Sequence, residues 1–144
     1  MCEKAIGVFD SGVGGLTVAR EIMKQLPNEK IVYFGDTARV PYGSKSRETI
    51  ITFSKQIAQF LCTKQVKAIV IACNTASAFA LESLKQNMDI PVIGVIEPGA
   101  KTAAETTKNN KIGVIGTTGT VNSGIYTKYL RKIKPEALVY SKAC

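Results

Sequence analysis

The chain has 144 residues, of which 45% are hydrophobic and 21% charged, a globular composition long enough to bury one core. It contains no histidine, which excludes Ser-His-Asp and Cys-His nucleophile pairs and any His-ligated zinc or haem. The net charge of +8 is spread along the chain rather than striped. Its densest group, Lys128, Arg131, Lys132 and Lys134, closes an expected helix without interleaved aromatic residues, so no nucleic-acid partner is expected.

The elements follow as strand and helix in turn. Ala5–Phe9 is a short apolar run ending in Asp10-Ser11-Gly12. A helical pattern places Leu16, Ala19, Ile22, Met23 and Leu26 on one face and stops at Pro27. Ile31–Phe34 forms the second strand, followed by Gly35-Asp36 and a polar loop through Pro41-Tyr42-Gly43-Ser44. The next helix spans about Ser46 to Lys64, with Ile50, Phe53, Ile57, Phe60 and Leu61 inward. Ala68–Ala72 is the third strand, and Cys73-Asn74-Thr75 opens a helix reaching about Met88. Val92–Ile96 is the fourth strand, and Pro98 after Glu97 suits the first residue of a helix. Lys111–Gly116 is the fifth, Thr117-Thr118 leads another helix, and Ala137–Tyr140 begins a sixth strand. Continuous β-branched runs between amphipathic helices predict an α/β fold, a parallel sheet covered by helices on both faces.

Ligands of open parallel sheets bind beyond the carboxyl ends of the strands. Here those ends carry Asp10-Ser11, Asp36-Thr37, Cys73-Asn74-Thr75, Glu97 and Thr117-Thr118. The glycines of Gly12-Val-Gly-Gly15 allow backbone to approach an anion, or simply make a tight turn. They are not a Walker loop, since no Lys-Ser/Thr follows. A dinucleotide loop is disfavoured by Asp10, whose carboxylate stands where a pyrophosphate would lie. Asp10 itself suits the N-cap of the next helix or the ammonium group of a ligand, and Asp36 is read only as an N-cap. Tyr42-Gly43 lies in a loop able to cover a pocket, where an exposed tyrosine is ordinary.

Cys73 ends the most hydrophobic strand at a helix N-terminus, a position that favours thiolate; a small buried hydrophobe is the alternative. Its neighbours Asn74 and Thr75, both hydrogen-bonding types, favour the functional reading. Cys62 is expected in the core and Cys2 on the surface. The four cysteines are far apart without a C-x-x-C pair, so no metal site is expected and all are read as free thiols. No apolar run approaches the roughly 20 residues of a membrane span, and no secretory signal opens the chain. A cytoplasmic location away from membranes is the expectation.

Taken together, Gly7-Val-Phe-Asp-Ser-Gly-Val-Gly-Gly-Leu-Thr17, Gly35-Asp-Thr37 with Pro41-Tyr-Gly-Ser44, and Ala72-Cys-Asn-Thr-Ala-Ser77 closely resemble the bacterial glutamate racemases. Val95-Ile-Glu-Pro98 and Gly113-Val-Ile-Gly-Thr117 extend the likeness, in order, over essentially the whole chain. The resemblance implies a cofactor-independent enzyme that interconverts L- and D-glutamate and supplies D-glutamate for peptidoglycan. In that family two cysteines flank the substrate Cα, one removing the α-proton as thiolate and the other delivering a proton to the opposite face. Cys73 matches the first. Asp10, Ser11, Tyr42, Gly43, Asn74 and Thr75 match positions that hold the substrate's amino and carboxylate groups, and Thr117 and Thr118 lie near the block that completes the pocket. Physical chemistry agrees: an α-proton is very weakly acidic, so its base must be close, desolvated and backed by groups that steady the carbanion.

The family is longer, with a second α/β domain that carries the other cysteine in a Gly-Cys-Thr-His block. No such block occurs here, and Cys144 follows Ser-Lys-Ala. The resemblance therefore implies a first domain over residues 1–96, lacking its C-terminal return, and the beginning of a second over 97–144. The chain is expected to be an N-terminal portion without full racemisation by itself, and a homodimer is implied for the full-length protein. A racemase of aspartate or another amino acid, or a non-catalytic module binding small acids, remain the alternatives.

Overall fold

Strand-forming runs of Val, Ile and Phe alternate with helical segments throughout the computed structural model, which describes residues 4–144. The first half folds as β1 (Ala5–Asp10), α1 (Leu16–Gln25), β2 (Ile31–Gly35), α2 (Arg47–Thr63), β3 (Val66–Ile71), α3 (Asn74–Asn87) and β4 (Val92–Gly94). The remainder folds as α4 (Ile96–Thr106), β5 (Lys111–Gly116), α5 (Thr118–Asn122), α6 (Ile125–Ile133) and β6 (Leu138–Ala143). The expected alternation is present. Pro98 does not start its helix but stands third in α4, still in the first turn, where a missing N–H costs no helical bond.

Strands β1 to β4 form one parallel sheet in the order β2-β1-β3-β4. Alternate residues of β1 face opposite sides, as the pleat requires. Ala5 and Phe9 join Ile69 and Ile71 of β3 under Ile50, Ile57 and Leu61 of α2 and Ala76, Ala80 and Leu84 of α3. On the other side, Val8 and Ala72 pack with Ala19 of α1, flanked by Ile6, Val18, Ile22 and Val70. The sheet is thus covered by helices on both faces, the expected α/β architecture. Gly7 admits close packing, since a Cβ there would lie 3.2 Å from both Leu61 and Val66.

Helix α1 buries Ala19 but leaves Leu16, Met23 and Leu26 about half exposed. It is the single helix in the cluster on its side of the sheet, so its contact arc centres on Val18, Ala19 and Ile22 and the flanks of its apolar face meet solvent. Two side-chain expectations are corrected. In α2, Phe60 is exposed at the sheet margin, tilted against Phe34, while Ile50, Ile57 and Leu61 are fully buried. Cys62 is exposed rather than in the core, because the burial of Leu61 turns the next residue about 100° around the helix. The expectation for Cys2 lies outside the described residues.

Strands β5 and β6 make a separate two-stranded parallel sheet. Helices α4 and α6 cover one of its faces through Ala100, Ala104, Ile112, Leu130 and Ala137. The basic residues Arg131 and Lys132 occupy the last turn of α6, at the negative end of its dipole.

Candidate active site

The carboxyl ends of β1 and β3 face β5 across a cleft of about 870 Å³. From the first sheet come the turn from Asp10 to Gly15, the loop segment from Val40 to Gly43, and Ala72 to Thr75. From the second come Ile112 to Thr117, with Thr120 and Tyr126. Asp10, Ser11, Tyr42, Gly43, Cys73, Asn74, Thr75 and Thr117, read as site residues from sequence, all lie on this lining. Thr118 does not; it opens α5 on the exposed surface, one helical step past Thr117.

Asp10 organises the turn on which Ser11 sits. Its Oδ2 accepts the N–H of Gly12 at 3.0 Å and of Gly15 at 3.1 Å. Gly15 is itself the N-cap of α1, so Asp10 ties the turn before the helix and is not the capping residue. A side chain at Gly15 is excluded, because its Cβ would stand 2.6 Å from that of Asp10 and 2.8 Å from that of Ala72. Tyr33 donates to the Gly12 carbonyl at 3.1 Å. Burial, reinforced by the charges of Asp10 and Cys73, pushes its phenol up to about 12, so it is a donor and not a base near neutral pH.

Asp36 corrects the sequence reading. It caps no helix: α2 starts at Arg47 and is capped by Ser46. The buried Asp36 carboxylate accepts Arg39 Nε at 2.7 Å and the Tyr42 hydroxyl at the same oxygen. Arg39 is held in turn by Gln56 at 2.6 Å and lies over the Phe53 ring at 4.0 Å. Tyr42 is not an exposed loop residue but 2% accessible, its phenol committed to Asp36. Burial first, then its bond to Asp36, raises the Tyr42 pKa far above the usual phenol range. The network fastens the loop so that Gly43 meets the second sheet. The Gly43 carbonyl accepts the Gly119 N–H at 3.1 Å, and a Cβ on Gly43 would strike Thr117.

Cys73 is buried, as one sequence reading had it, and it also stands at a helix N-terminus on the cleft. It is 6% exposed and belongs to the core cluster, yet it lines the cleft. As N-cap of α3 its sulfur accepts the Ala76 N–H at 3.4 Å, and its thiol donates to Ser11 Oγ at 3.5 Å. Beside it the Thr75 hydroxyl bonds Thr117 at 2.8 Å and Thr120 at 3.1 Å, and Thr117 and Thr120 are 3.1 Å apart. Asn74 receives at Oδ1 the hydroxyl of Tyr126 at 2.6 Å. Thr120 and Tyr126 escaped the sequence reading. The Thr117-x-x-Thr120 spacing around an N-cap could have exposed the first, whereas no local pattern joins Tyr126 to a residue 52 positions earlier.

Among the described residues, no group of three or more His, Cys, Asp or Glu could hold a metal ion, and no helix is long and apolar enough to cross a membrane. What the cleft offers instead is a sulfur at the positive end of a helix, ringed by hydroxyl, amide and carboxylate groups. The Asp/Glu/hydantoin racemase family model matches residues 6–143. The chain belongs to that racemase family. A glutamate racemase of Geobacter metallireducens is 59% identical over 141 residues, which are 98% of this chain and 52% of that protein. One from Oceanobacillus iheyensis is 56% identical over 142 residues, 99% of this chain and 52% of that relative. Among solved structures, the glutamate racemase isoform RacE1 of Bacillus anthracis superimposes with a TM-score of 0.95 at 52% identity, covering 98% of this chain and 53% of that one. The Francisella tularensis glutamate racemase, solved in complex with D-glutamate, gives a TM-score of 0.90 at 48% identity over 100% of this chain and 54% of that one. This racemase-family chain spans about half the length of the curated relatives it matches.

Proposed function

We propose that this chain forms part of a glutamate racemase site in which Cys73 moves the α-proton. The observation that carries the reading is the placement of the Cys73 sulfur, a helix N-cap within the cleft beside Ser11, Asn74 and Thr75. In the reaction the Cys73 thiolate takes the Cα proton, the C–H electron pair passes into the substrate carboxylate system, and a proton returns to Cα from the opposite face. A sulfur at a helix N-terminus is suited to the negative charge this requires. Asp10 and Ser11 address the ammonium, while Asn74, Thr75, Thr117 and the backbone at Tyr42-Gly43 hold the carboxylates. The second proton donor belongs to sequence that these residues do not contain. The division at residues 96 and 97, a cytoplasmic location, a homodimer of the whole protein and supply of D-glutamate to peptidoglycan belong to the same proposal.

The test is deuterium exchange at Cα of L- and D-glutamate in heavy water, followed by proton NMR with the purified chain and Cys73→Ser. Exchange that depends on Cys73 and leaves the configuration unchanged is expected, since one base serves one face. Faster exchange of aspartate than glutamate would assign the site to a different amino acid. Equal glutamate affinity in both forms, with exchange in neither, would overturn the enzyme in favour of a small-acid binding module. Inversion abolished by Cys73→Ala would overturn the division of labour between two halves.

A further inference from the structure

Asn74 lines the cleft as the first residue of α3, and its side-chain amide has two unlike ends. Turned one way it offers an anion two N–H donors; turned the other way it offers a repelling oxygen. In the structure the amide is turned with its oxygen toward Tyr126. Oδ1 is occupied by the Tyr126 hydroxyl at 2.6 Å, delivered from α6 on the far wall of the cleft. The phenol lies over bare backbone of α4, where a Cβ on Gly99 would come within 3.4 Å of the Tyr126 oxygen. Burial raises the Tyr126 pKa, so the group stays a donor through neutral pH.

We propose that Tyr126 is a positioning residue that holds the Asn74 amide with its Nδ2 hydrogens directed to the carboxylate of the bound amino acid. The proposal rests on the glutamate reading of the cleft. It gives the second region a part in ligand recognition beyond closing the pocket, because it sets the donor orientation of a residue borne by the first.

The test is a double-mutant cycle on glutamate binding to the isotope-labelled chain, followed by NMR titration, using Tyr126→Phe, Asn74→Ala and the pair. Tyr126→Phe keeps the ring and removes the bond. It is expected to weaken binding about five-fold, the worth of one net hydrogen bond. In the Asn74→Ala background the same change is expected to have no further effect. An equal loss in both backgrounds, which packing alone would give, overturns the proposal, as does no loss in either. Asn74→Asp retains an acceptor for Tyr126 but not the donor, and binding as tight as wild type would also overturn it. If the wild-type chain binds no glutamate, the functional reading fails separately. The positioning claim is then decided by the Asn74 side-chain amide signals of the free protein, which must differ between wild type and Tyr126→Phe if the bond orients the group.

Discussion

The two walls of the cleft are built from similar strands but reach different degrees of cover. In the four-stranded sheet, β1 buries Phe9 beneath α2 and α3 and Val8 beneath α1, and both residues are 0% exposed. In the two-stranded sheet, Ile112 is turned to α4 and α6, whereas Ile115, Leu138 and Tyr140 on the other side are 78%, 53% and 62% exposed. Cys73 grows from the covered sheet, and Thr117 and Tyr126 from the half-covered one. Under the proposed function, the base that must lie within contact range of a weakly acidic proton is on the better-packed wall, and Thr117 and Tyr126 add orienting groups from the other.

Two leucines of equal burial test that contrast most strongly. Leu84 of α3 is 0% exposed within the large cluster, and Leu130 of α6 is 1% exposed within the small one. Leu84→Ala leaves a hole that neighbours on several sides cannot fill, and is expected to cost about 4 kcal/mol. Leu130 borders the cleft, where the surroundings can relax, and its truncation is expected to cost about 2.5 kcal/mol. Urea unfolding followed by far-ultraviolet circular dichroism measures both. Equal costs in one shared transition would break the comparison, while a separate early transition in Leu130→Ala would sharpen it.

Alkaline titration separates the walls by cause. Tyr33, on the first, is raised from 10.0 to about 12 by burial and by the charges of Asp10 and Cys73; Tyr126 is raised by burial alone. Both are acids whose neutral form the fold favours. The stability they contribute is therefore complete below the unfolded value and is lost as pH climbs from about 10 through the folded value. Stability should fall across that window, and less so in Tyr33→Phe. Removing a charge with Asp10→Asn should lower the midpoint of Tyr33, read from phenolate absorbance, and leave Tyr126 unmoved. Equal movement of both would show that the two walls share one electrostatic environment.

What was legible in the sequence follows the reach of each physical signal. Most strands were read well because a run such as Ile69-Val70-Ile71 needs cover on both sides wherever it is placed. The fourth, read as Val92–Ile96, ends at Gly94; Val95 is the N-cap and Ile96 the first residue of α4 instead. Cys73, Asn74 and Thr75 were found because a strand end and a helix start locate them from local pattern alone. The burial of α1 was not legible, since periodicity gives the direction of its apolar face but not how much surface the partner sheet presents. Asp36 was read as a cap because its real partners, Arg39 and Tyr42, lie at loop offsets of three and six that carry no periodic signature. Tyr126 depends on how the second sheet docks against the first, which no window of sequence contains.

Among the described residues the covered wall carries a defect at Ser54, and it supplies the smallest effect. Ser54 of α2 is 0% exposed, and its Oγ has no hydrogen-bond partner. A hydroxyl taken out of water without a partner carries its desolvation penalty into the folded state. Neighbouring helical serines escape this penalty where they find an acceptor, as Ser77 of α3 does at the Ile71 carbonyl at 3.0 Å. Alanine at position 54 removes the stranded oxygen, leaves little void and favours the helix by its own propensity. Ser54→Ala is therefore expected to stabilise the chain by about 1 kcal/mol, in the same urea experiment, with no change in glutamate binding. A loss of stability would mean that the hydroxyl has a partner in solution and that the first wall is wetter than its packing implies.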